Sequence, residues 1–486
     1  MENFNTQLML NDVIPRERLL TLLAPERNTP IRLLCGPAGF GKSILARQFC
    51  EFRTASQPIW LDLSASLKLT PTILMQHIAA VVGLDDFDET SLSQFISTFS
   101  TPLLVLDDYS PNEQCDTWLL NFIKKNHAQW LITSRRRPEW PLSRLLLNGH
   151  LISLESEQLA LNLTELTSIL DLLSPQHLFC ARQLHEQTDG WVAGLRLFLY
   201  AQVSQHSLTH IHLHRCPPIL DYLDQEVLAT MSKSDLDLLK LIAHAPFVDS
   251  ALCAFLTGET QSLQELLAKQ AFLHSISGST DRFTLYQPLR NVLKERYPDQ
   301  NQALTPAYHW LKHTGRPLSA FAYAICIAAP ALAIAALSEI PLQRLFSENN
   351  LSIVLSGLEQ LSLNDLIVHP KVLAISIRAL LMGGKLELAE SYLFALEKHD
   401  LHATSLALKA ELLLHQGQAQ EASIIGAHAL IELNQCQDWA QMILCYSCIT
   451  RAYLALGQYE QAQQQQQQGL ELARRKGEML LECYYY

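Results

Sequence analysis

The eight residues Gly36-Pro37-Ala38-Gly39-Phe40-Gly41-Lys42-Ser43 bring glycines, a lysine and a hydroxyl together at the spacing that phosphate binding needs. Glycines let the backbone wrap closely, so amides near Gly39, Gly41, Lys42 and Ser43 point at phosphate oxygens, and a helix beginning there adds its positive end. Lys42 would neutralise the β and γ phosphates of ATP. Ser43 would offer its hydroxyl to Mg²⁺, a hard cation that takes oxygen ligands. The flanks supply the elements such a loop requires: Ile31-Arg32-Leu33-Leu34-Cys35 is a strand-like run, and Ile44-Leu45-Ala46-Arg47-Gln48-Phe49 has helical character. A chance glycine turn before a helix is the plain alternative to an ATP or ADP site.

A second group of residues weighs against that alternative. Leu103-Leu104-Val105-Leu106-Asp107-Asp108 reads as a buried parallel strand ending in two carboxylates, the Walker B arrangement. Asp107 would hold Mg²⁺ together with Ser43, and Asp108 would orient or deprotonate the attacking water. Two acids also commonly start a turn, so the pair gains its meaning from following a phosphate loop in an α/β pattern. A third strand, Trp130-Leu131-Ile132-Thr133-Ser134-Arg135, places a cation at a carboxyl end, where open α/β sheets bind ligands. Arg135 is thus a candidate sensor of the γ phosphate; the competing reading is a solvated charge run, Arg135-Arg136-Arg137.

These elements occupy the first part of a chain too long for one core. At 486 residues it should hold roughly three or four domains. Hydrophobic residues at 48% and charged residues at 17% fit a globular chain and exclude global disorder. The net charge of −12 means that the chain as a whole should not attract nucleic acid or anionic lipid. Eleven scattered cysteines do not form a secreted disulfide framework, and the start Met1-Glu2-Asn3-Phe4-Asn5 has no basic or apolar segment of a secretion signal. A cytoplasmic protein is expected. The apolar stretch Ala320 to Leu337 is about as long as the shortest membrane-spanning helices, but it is rich in Ala and broken by Pro330, which predicts two packed helices rather than a span.

From about residue 303 the pattern becomes helices joined by short turns, and one signature recurs: Gly, then Ala five positions later. It stands at Gly315/Ala320, Gly384/Ala389, Gly417/Ala422 and Gly457/Ala462. The later separations match the period of tetratricopeptide-like helix pairs, in which Gly permits the turn and Ala lets helices approach. Such an array curves into a superhelix with a binding surface on its concave side. Cys445 and Cys448 have metal-like spacing but no second pair, so they are expected in the core. Gln463 to Gln468 is expected on a solvated helix face.

Taken in order, these motifs resemble the STAND class of signal-transducing ATPases, and more closely the MalT-type branch of large LuxR-family transcriptional activators. Ser134-Arg135-Arg136-Arg137-Pro138-Glu139-Trp140-Pro141-Leu142 is similar to that branch's sensor strand and its sequel, and Asp189-Gly190-Trp191-Val192-Ala193-Gly194-Leu195 to its helical segment. Tyr222-Leu223-Asp224-Gln225-Glu226-Val227-Leu228 resembles the entrance to the family's winged helix, and Tyr286-Gln287-Pro288-Leu289 its exit. The resemblance implies that Arg16 and Arg18, in Pro15-Arg16-Glu17-Arg18-Leu19-Leu20, lie near the nucleotide base; a plain surface helix uses the same residues. It also implies a winged-helix residue on the β phosphate of ADP. That residue is usually His in the family and is Gln287 here, which donates a hydrogen bond but carries no charge. Either the closed state is held less tightly, or a cation such as Arg290 contributes, or Gln287 simply faces solvent.

The expected architecture is multidomain: an α/β P-loop NTPase core over residues 1–150, a helical segment over 151–215, a winged helix over 216–300, and an α-helical tetratricopeptide-like superhelix over 301–486. The resemblance implies an ATP/ADP switch with slow hydrolysis. An effector, a small molecule or a protein, would act on the repeats, and the ATP state would self-associate. DNA would be reached only through a domain absent from this chain; no membrane is involved. The apolar segment Met479-Leu480-Leu481-Glu482-Cys483-Tyr484 after Lys476-Gly477 leads us to expect the N-terminal portion of a longer protein, or a truncated one. The alternatives are a repeat scaffold with a structural nucleotide site and an ATPase of continuous turnover.

Overall fold

Five short runs, each able to bury apolar side chains on a sheet, set the architecture of the first half: β1 (Ile31–Cys35), β2 (Ile59–Asp62), β3 (Leu103–Tyr109), β4 (Gln129–Ser134) and β5 (Leu151–Leu154). In the computed structural model they form one sheet in the order β2-β3-β4-β1-β5, with each pair parallel. The structure describes residues 16–23, 29–52, 58–64, 69–84, 88–99, 102–173, 180–205, 213–260, 262–269, 271–276, 281–298, 303–341, 345 and 348–477. The central strands are buried along nearly their whole length, as parallel strands covered on both faces must be. One face packs Leu33, Leu106, Trp130 and Ile132 against Leu74, Leu119 and Phe122 of the covering helices.

Of these strands β1, β3 and β4 are legible in the sequence, but neither their order nor the edge strands β2 and β5 are. The order matters for chemistry. β4 lies between β1 and β3, with Cys35 level with Ser134, so the carboxyl end of β4 stands between the phosphate loop and Asp107. The β3/β4 register shifts between Leu106 and Tyr109, and within that break Asp108 takes the left-handed φ of 57°. For a residue with a Cβ that conformation costs about 1 kcal/mol or more.

Two compact units divide the chain, Met1–Pro298 and Asp299–Tyr486. Beyond the sheet, the first unit continues with helices 163–173, 181–188 and 192–205, then helices 217–222, 233–244, 250–257 and 262–268. The antiparallel strands β6 (Leu273–Ser275) and β7 (Phe283–Leu285) and the helix Gln287–Arg296 follow. Helix 217–222 runs into a π-helical turn, Leu223–Val227.

The second unit is helical throughout its described residues. Gly315, Gly384, Gly417 and Gly457 all have positive φ, between 69° and 84°, at the turns between helices. Ala320, Ala389, Ala422 and Ala462, each five residues on, are buried where the next helix packs. The Gly/Ala pattern in the sequence therefore reports real turn and contact positions. The apolar stretch Ala320 to Leu337 divides between the helices Pro317–Cys326 and Pro330–Leu337, which break at Ala328 (φ 52°). No helix among the described residues is long and apolar enough to cross a membrane. Cys445 and Cys448 are core residues, burial pushing the Cys445 thiol up to about 12, and no metal-binding cluster occurs among the described residues. Most of the run Gln463 to Gln468 is exposed on the helix Tyr459–Lys476. The segment Met479 to Tyr484 lies outside the described residues.

Candidate nucleotide site

The loop Gly36 to Gly41 leaves β1 and turns into the helix Lys42–Phe52, with Gly39 and Gly41 at φ 78° and 77°, where only glycine is unstrained. Lys42 opens that helix and folds back over the loop. Its ammonium donates to the carbonyl oxygens of Gly36 at 2.7 Å and Pro37 at 2.8 Å. Burial, and then the nearby Arg135 cation, push its pKa down to about 8.

At the next position Ser43 Oγ donates to Asp107 Oδ1 at 2.7 Å. Thr133 Oγ1, from β4, donates to the same oxygen at 2.6 Å and accepts from the amide of Asp108 at 2.8 Å. Thr133 therefore holds both acids of β3. In the sequence it is a polar residue inside the apolar strand Trp130 to Ser134, and nothing local to it points to Asp107. The paired oxygens of Ser43 and Asp107 are the hard donor set that Mg²⁺ prefers, and the half-exposed Asp108 stands beside them. The residues present thus suit a nucleotide phosphate chain with Mg²⁺.

Arg135 is set apart from its neighbours. Arg136 and Arg137 are exposed, and Arg137 pairs with Glu155 at 3.1 Å. Arg135 instead reaches across the surface to two carboxylates, its Nε 3.4 Å from Asp108 Oδ1 and its Nη1 3.2 Å from Glu226 Oε2 in the π-helical turn. The chain that follows Arg135 is fixed by Asp116, whose carboxylate accepts from Tyr109 Oη at 2.6 Å and the Glu139 amide at 2.7 Å, while its carbonyl accepts from Trp140 Nε1 at 3.0 Å. Burial raises the Asp116 pKa against the bonds from Tyr109 and the Glu139 amide, which favour its charged form. Nothing in the sequence near Arg135 signals Glu226, because the partner comes from a distant segment.

The crown of the loop is covered by later parts of the same unit. Trp191 Nε1 donates to the Ala38 carbonyl at 3.1 Å, and the Ala193 amide donates to the Gly39 carbonyl at 2.9 Å. Phe40, 1% exposed, packs edge-on against Tyr286 (ring centroids 5.1 Å apart) and Phe272 (5.9 Å), while Trp191 meets Phe272 at 5.5 Å and Tyr222 at 5.6 Å. Each such aromatic pair contributes about 0.5–1.5 kcal/mol beyond its buried area. The crown is too tight for any side chain at position 39, where a Cβ would fall 2.6 Å from both Ala193 Cβ and Trp191 Nε1. Phe272 itself holds a left-handed φ of 55°.

Gln287 opens the helix after β7, next to Tyr286. Its amide donates to Asp189 Oδ2 at 2.6 Å, and its side chain is half-buried. Arg290 is engaged elsewhere, its Nε on the Ala243 carbonyl at 3.0 Å and its Nη2 on the Ala245 carbonyl at 2.8 Å. Arg16 and Arg18 converge on Glu165. Arg16 Nε lies 3.2 Å and Arg18 Nη2 3.0 Å from its carboxylate, and both guanidiniums also donate to the Ala160 carbonyl. Arg16 is 6% exposed and stands just before the helix Glu17–Leu23, tied to the segment after β5 through Glu165 and the carbonyls of Leu159 and Ala160.

No protein-family model matches the chain. Among solved structures it is similar to the crystal structure of a Signal Transduction ATPase with Numerous Domains (STAND) protein with a tetratricopeptide repeat sensor from Pyrococcus horikoshii. That match has 17% sequence identity and a TM-score of 0.30, and it covers 98% of this chain and 79% of that chain. Identity and superposition at these levels do not establish a shared fold.

Proposed function

We propose that this chain is an ATP- and ADP-binding switch of the STAND type, related to the MalT-type branch of LuxR-family activators, in which slow hydrolysis resets a conformational change. The single observation that carries the reading is the covering of the phosphate loop. The carbonyls of Ala38 and Gly39 and the ring of Phe40 are engaged by Trp191, Ala193, Phe272 and Tyr286, so a shift of the loop on binding phosphate must move these later residues too. Nucleotide chemistry at Lys42 and Ser43 is thereby tied mechanically to Trp191 and Ala193, in the helical segment we assign to 151–215, and to Phe272 and Tyr286, in the winged helix we assign to 216–300.

Each residue has a role in this reading. Backbone amides from Gly39 to Ser43 and the Lys42 ammonium bind the phosphates, and Ser43 with Asp107 holds Mg²⁺. Asp108 orients or deprotonates water, Arg135 senses the γ phosphate, and Gln287 lies towards the β-phosphate side of the closed form. ATP, when bound, supplies the transferable phosphoryl group. Engaging that group draws Arg135 away from Glu226, and an effector on the helical repeats favours the open form, which self-associates. The work is done in the cytoplasm, and joined to a DNA-binding domain the output is transcription regulation.

Light scattering of the purified chain with ADP, with ATP, and with ATP plus candidate effectors tests this. A larger assembly in ATP is expected. An unchanged mass under all conditions, with ATP demonstrably bound, would leave only a structural role for the site.

A further inference from the structure

The residue six positions before the turn glycine is Arg378 for Gly384, Glu411 for Gly417 and Arg451 for Gly457. Equal register in a stacked array lines such residues up, and these three form a chain of charges. Arg378 Nη1 donates to Glu411 Oε2 at 2.7 Å, and Arg451 Nη2 lies 4.0 Å from Glu411 Oε1. Arg378 Nη2 also donates to Gln441 Oε1 at 2.8 Å, joining the helices Pro370–Met382, His402–His415 and Trp439–Ala455. These first helices of successive hairpins pack on one another more closely than the second helices do, which places them on the inner side of the array.

Two features mark this chain of charges as incomplete. Arg378 and Glu411, 4% and 8% exposed, balance each other, and the second guanidinium beside that carboxylate, Arg451, leaves an excess positive charge at the exposed edge of the cluster. In addition, Nε of Arg378 and Nε of Arg451 are both buried without an acceptor. Buried guanidinium donors are normally satisfied, and only an acceptor carrying negative charge would answer both the donors and the charge. Arg451, with its side chain 42% exposed, is the edge from which a ligand would enter.

We propose that Arg378 and Arg451, held apart by Glu411, form a binding site on the inner face of the repeat unit for a small oxyanion-bearing effector, its carboxylate or phosphate group seated on the two guanidiniums. The proposal rests on the reading of the repeats as the effector-sensing part, and adds the chemical class of the effector.

The test uses the full chain carrying Lys42→Ala, which weakens the hold of the phosphate loop on anions, and reads the part of the response that the Arg451 variants remove. Its thermal midpoint is followed with inorganic phosphate or with succinate, against chloride at equal ionic strength. A saturable rise with at least one anion is expected. Arg451→Gln, added to this chain, should weaken that response about tenfold or more, as loss of a charge-assisted hydrogen bond does. Arg451→Lys, which keeps the charge but not the forked donors and is the milder change if the Gln variant fails to fold, should retain part of it. A response to phosphate alone indicates a phosphorylated effector, and one to succinate alone a carboxylate. No rise with either anion, or a rise undiminished by both Arg451 variants, overturns the proposal and leaves the three charges a structural ladder. ATP binding by the unaltered chain is measured separately, so the two readings fail independently.

Discussion

Arg135 bridges Asp108 and Glu226, with its Nε 3.4 Å from one carboxylate and its Nη1 3.2 Å from the other, so one guanidinium joins the end of β3 to the π-helical turn at 223–227. Glu226 therefore competes with any phosphate oxygen that Arg135 is meant to sense. The two side chains are 43% and 44% exposed, so the pair is a weak restraint of about 0.2–1 kcal/mol. Glu226→Gln should raise the rate of ATP hydrolysis by up to about fivefold and shift the chain toward its ATP-bound assembly. Rate and assembly size both unaltered would show that Glu226 takes no part.

Trp191→Phe keeps an aromatic ring against Phe272 but deletes the N–H that donates to the Ala38 carbonyl. A hydrogen bond of this kind contributes about 1 kcal/mol, so the loop's cover should loosen and bound nucleotide should exchange about fivefold faster. Stopped-flow release of a fluorescent ADP analogue measures it. Exchange no faster than in the unaltered chain would mean that the cover does not control access.

The depressed pKa of Lys42, about 8, gives the site a pH signature. Between that value and its ordinary 10.5 the unfolded chain binds more protons than the folded one, so this group makes the nucleotide-free chain more stable as pH rises through the window. Nucleotide affinity runs the opposite way. Above about pH 8 the free site must take up a proton to bind phosphate, and affinity should fall by at most about tenfold per pH unit. Lys42→Met should flatten both trends. Calorimetric titration of ATP and urea unfolding from pH 7 to 10 provide the check, and an affinity independent of pH would refute the assignment of Lys42 as the charged contact.

Arg16 and Arg18 share Glu165, yet their environments separate them. The Arg16 side chain is 8% exposed and that of Arg18 34%. Arg16→Met leaves Glu165 to Arg18 alone and strips the buried Leu159 carbonyl of its guanidinium donor, and should cost about 2 kcal/mol of stability, whereas Arg18→Met should cost about 1 kcal/mol or less. Urea midpoints read the difference. Should Arg16→Met leave the midpoint unmoved and weaken ATP binding instead, Arg16 would be a base contact and not a fastener.

Much of the phosphate-loop half of the candidate site was legible in the sequence because its parts are local. The glycines at 39 and 41, Lys42 and Ser43 sit within one turn of chain, and the strand Leu103 to Leu106 delivers Asp107 directly. Gly/Ala spacing likewise exposed the hairpins of the second unit, since a turn and a close approach each demand a particular small residue. What escaped was long-range. The position of β4 between β1 and β3, and the short edge strands β2 and β5, depend on pairing that no single segment encodes. Thr133, Glu226 and Phe272 acquire their roles from neighbours in space, and the buried state of Arg16 depends on Glu165, far along the chain. Charge alone could not say that Arg16 would be enclosed while Arg136 stayed in water.

The helical hairpins carry their turn glycine and contact alanine at fixed places, so residues such as Arg378, Glu411 and Arg451 fall into columns. A column can be edited one rung at a time. Changing the residue six before a turn glycine alters the chemistry offered at that rung while the spacing of its neighbours is preserved, and gaining or losing a whole hairpin lengthens or shortens the column without resetting its alignment. If the proposed anion site is there, the scaffold separates what such a site recognises from how the helices stack, and a few substitutions along the column would change the ligand.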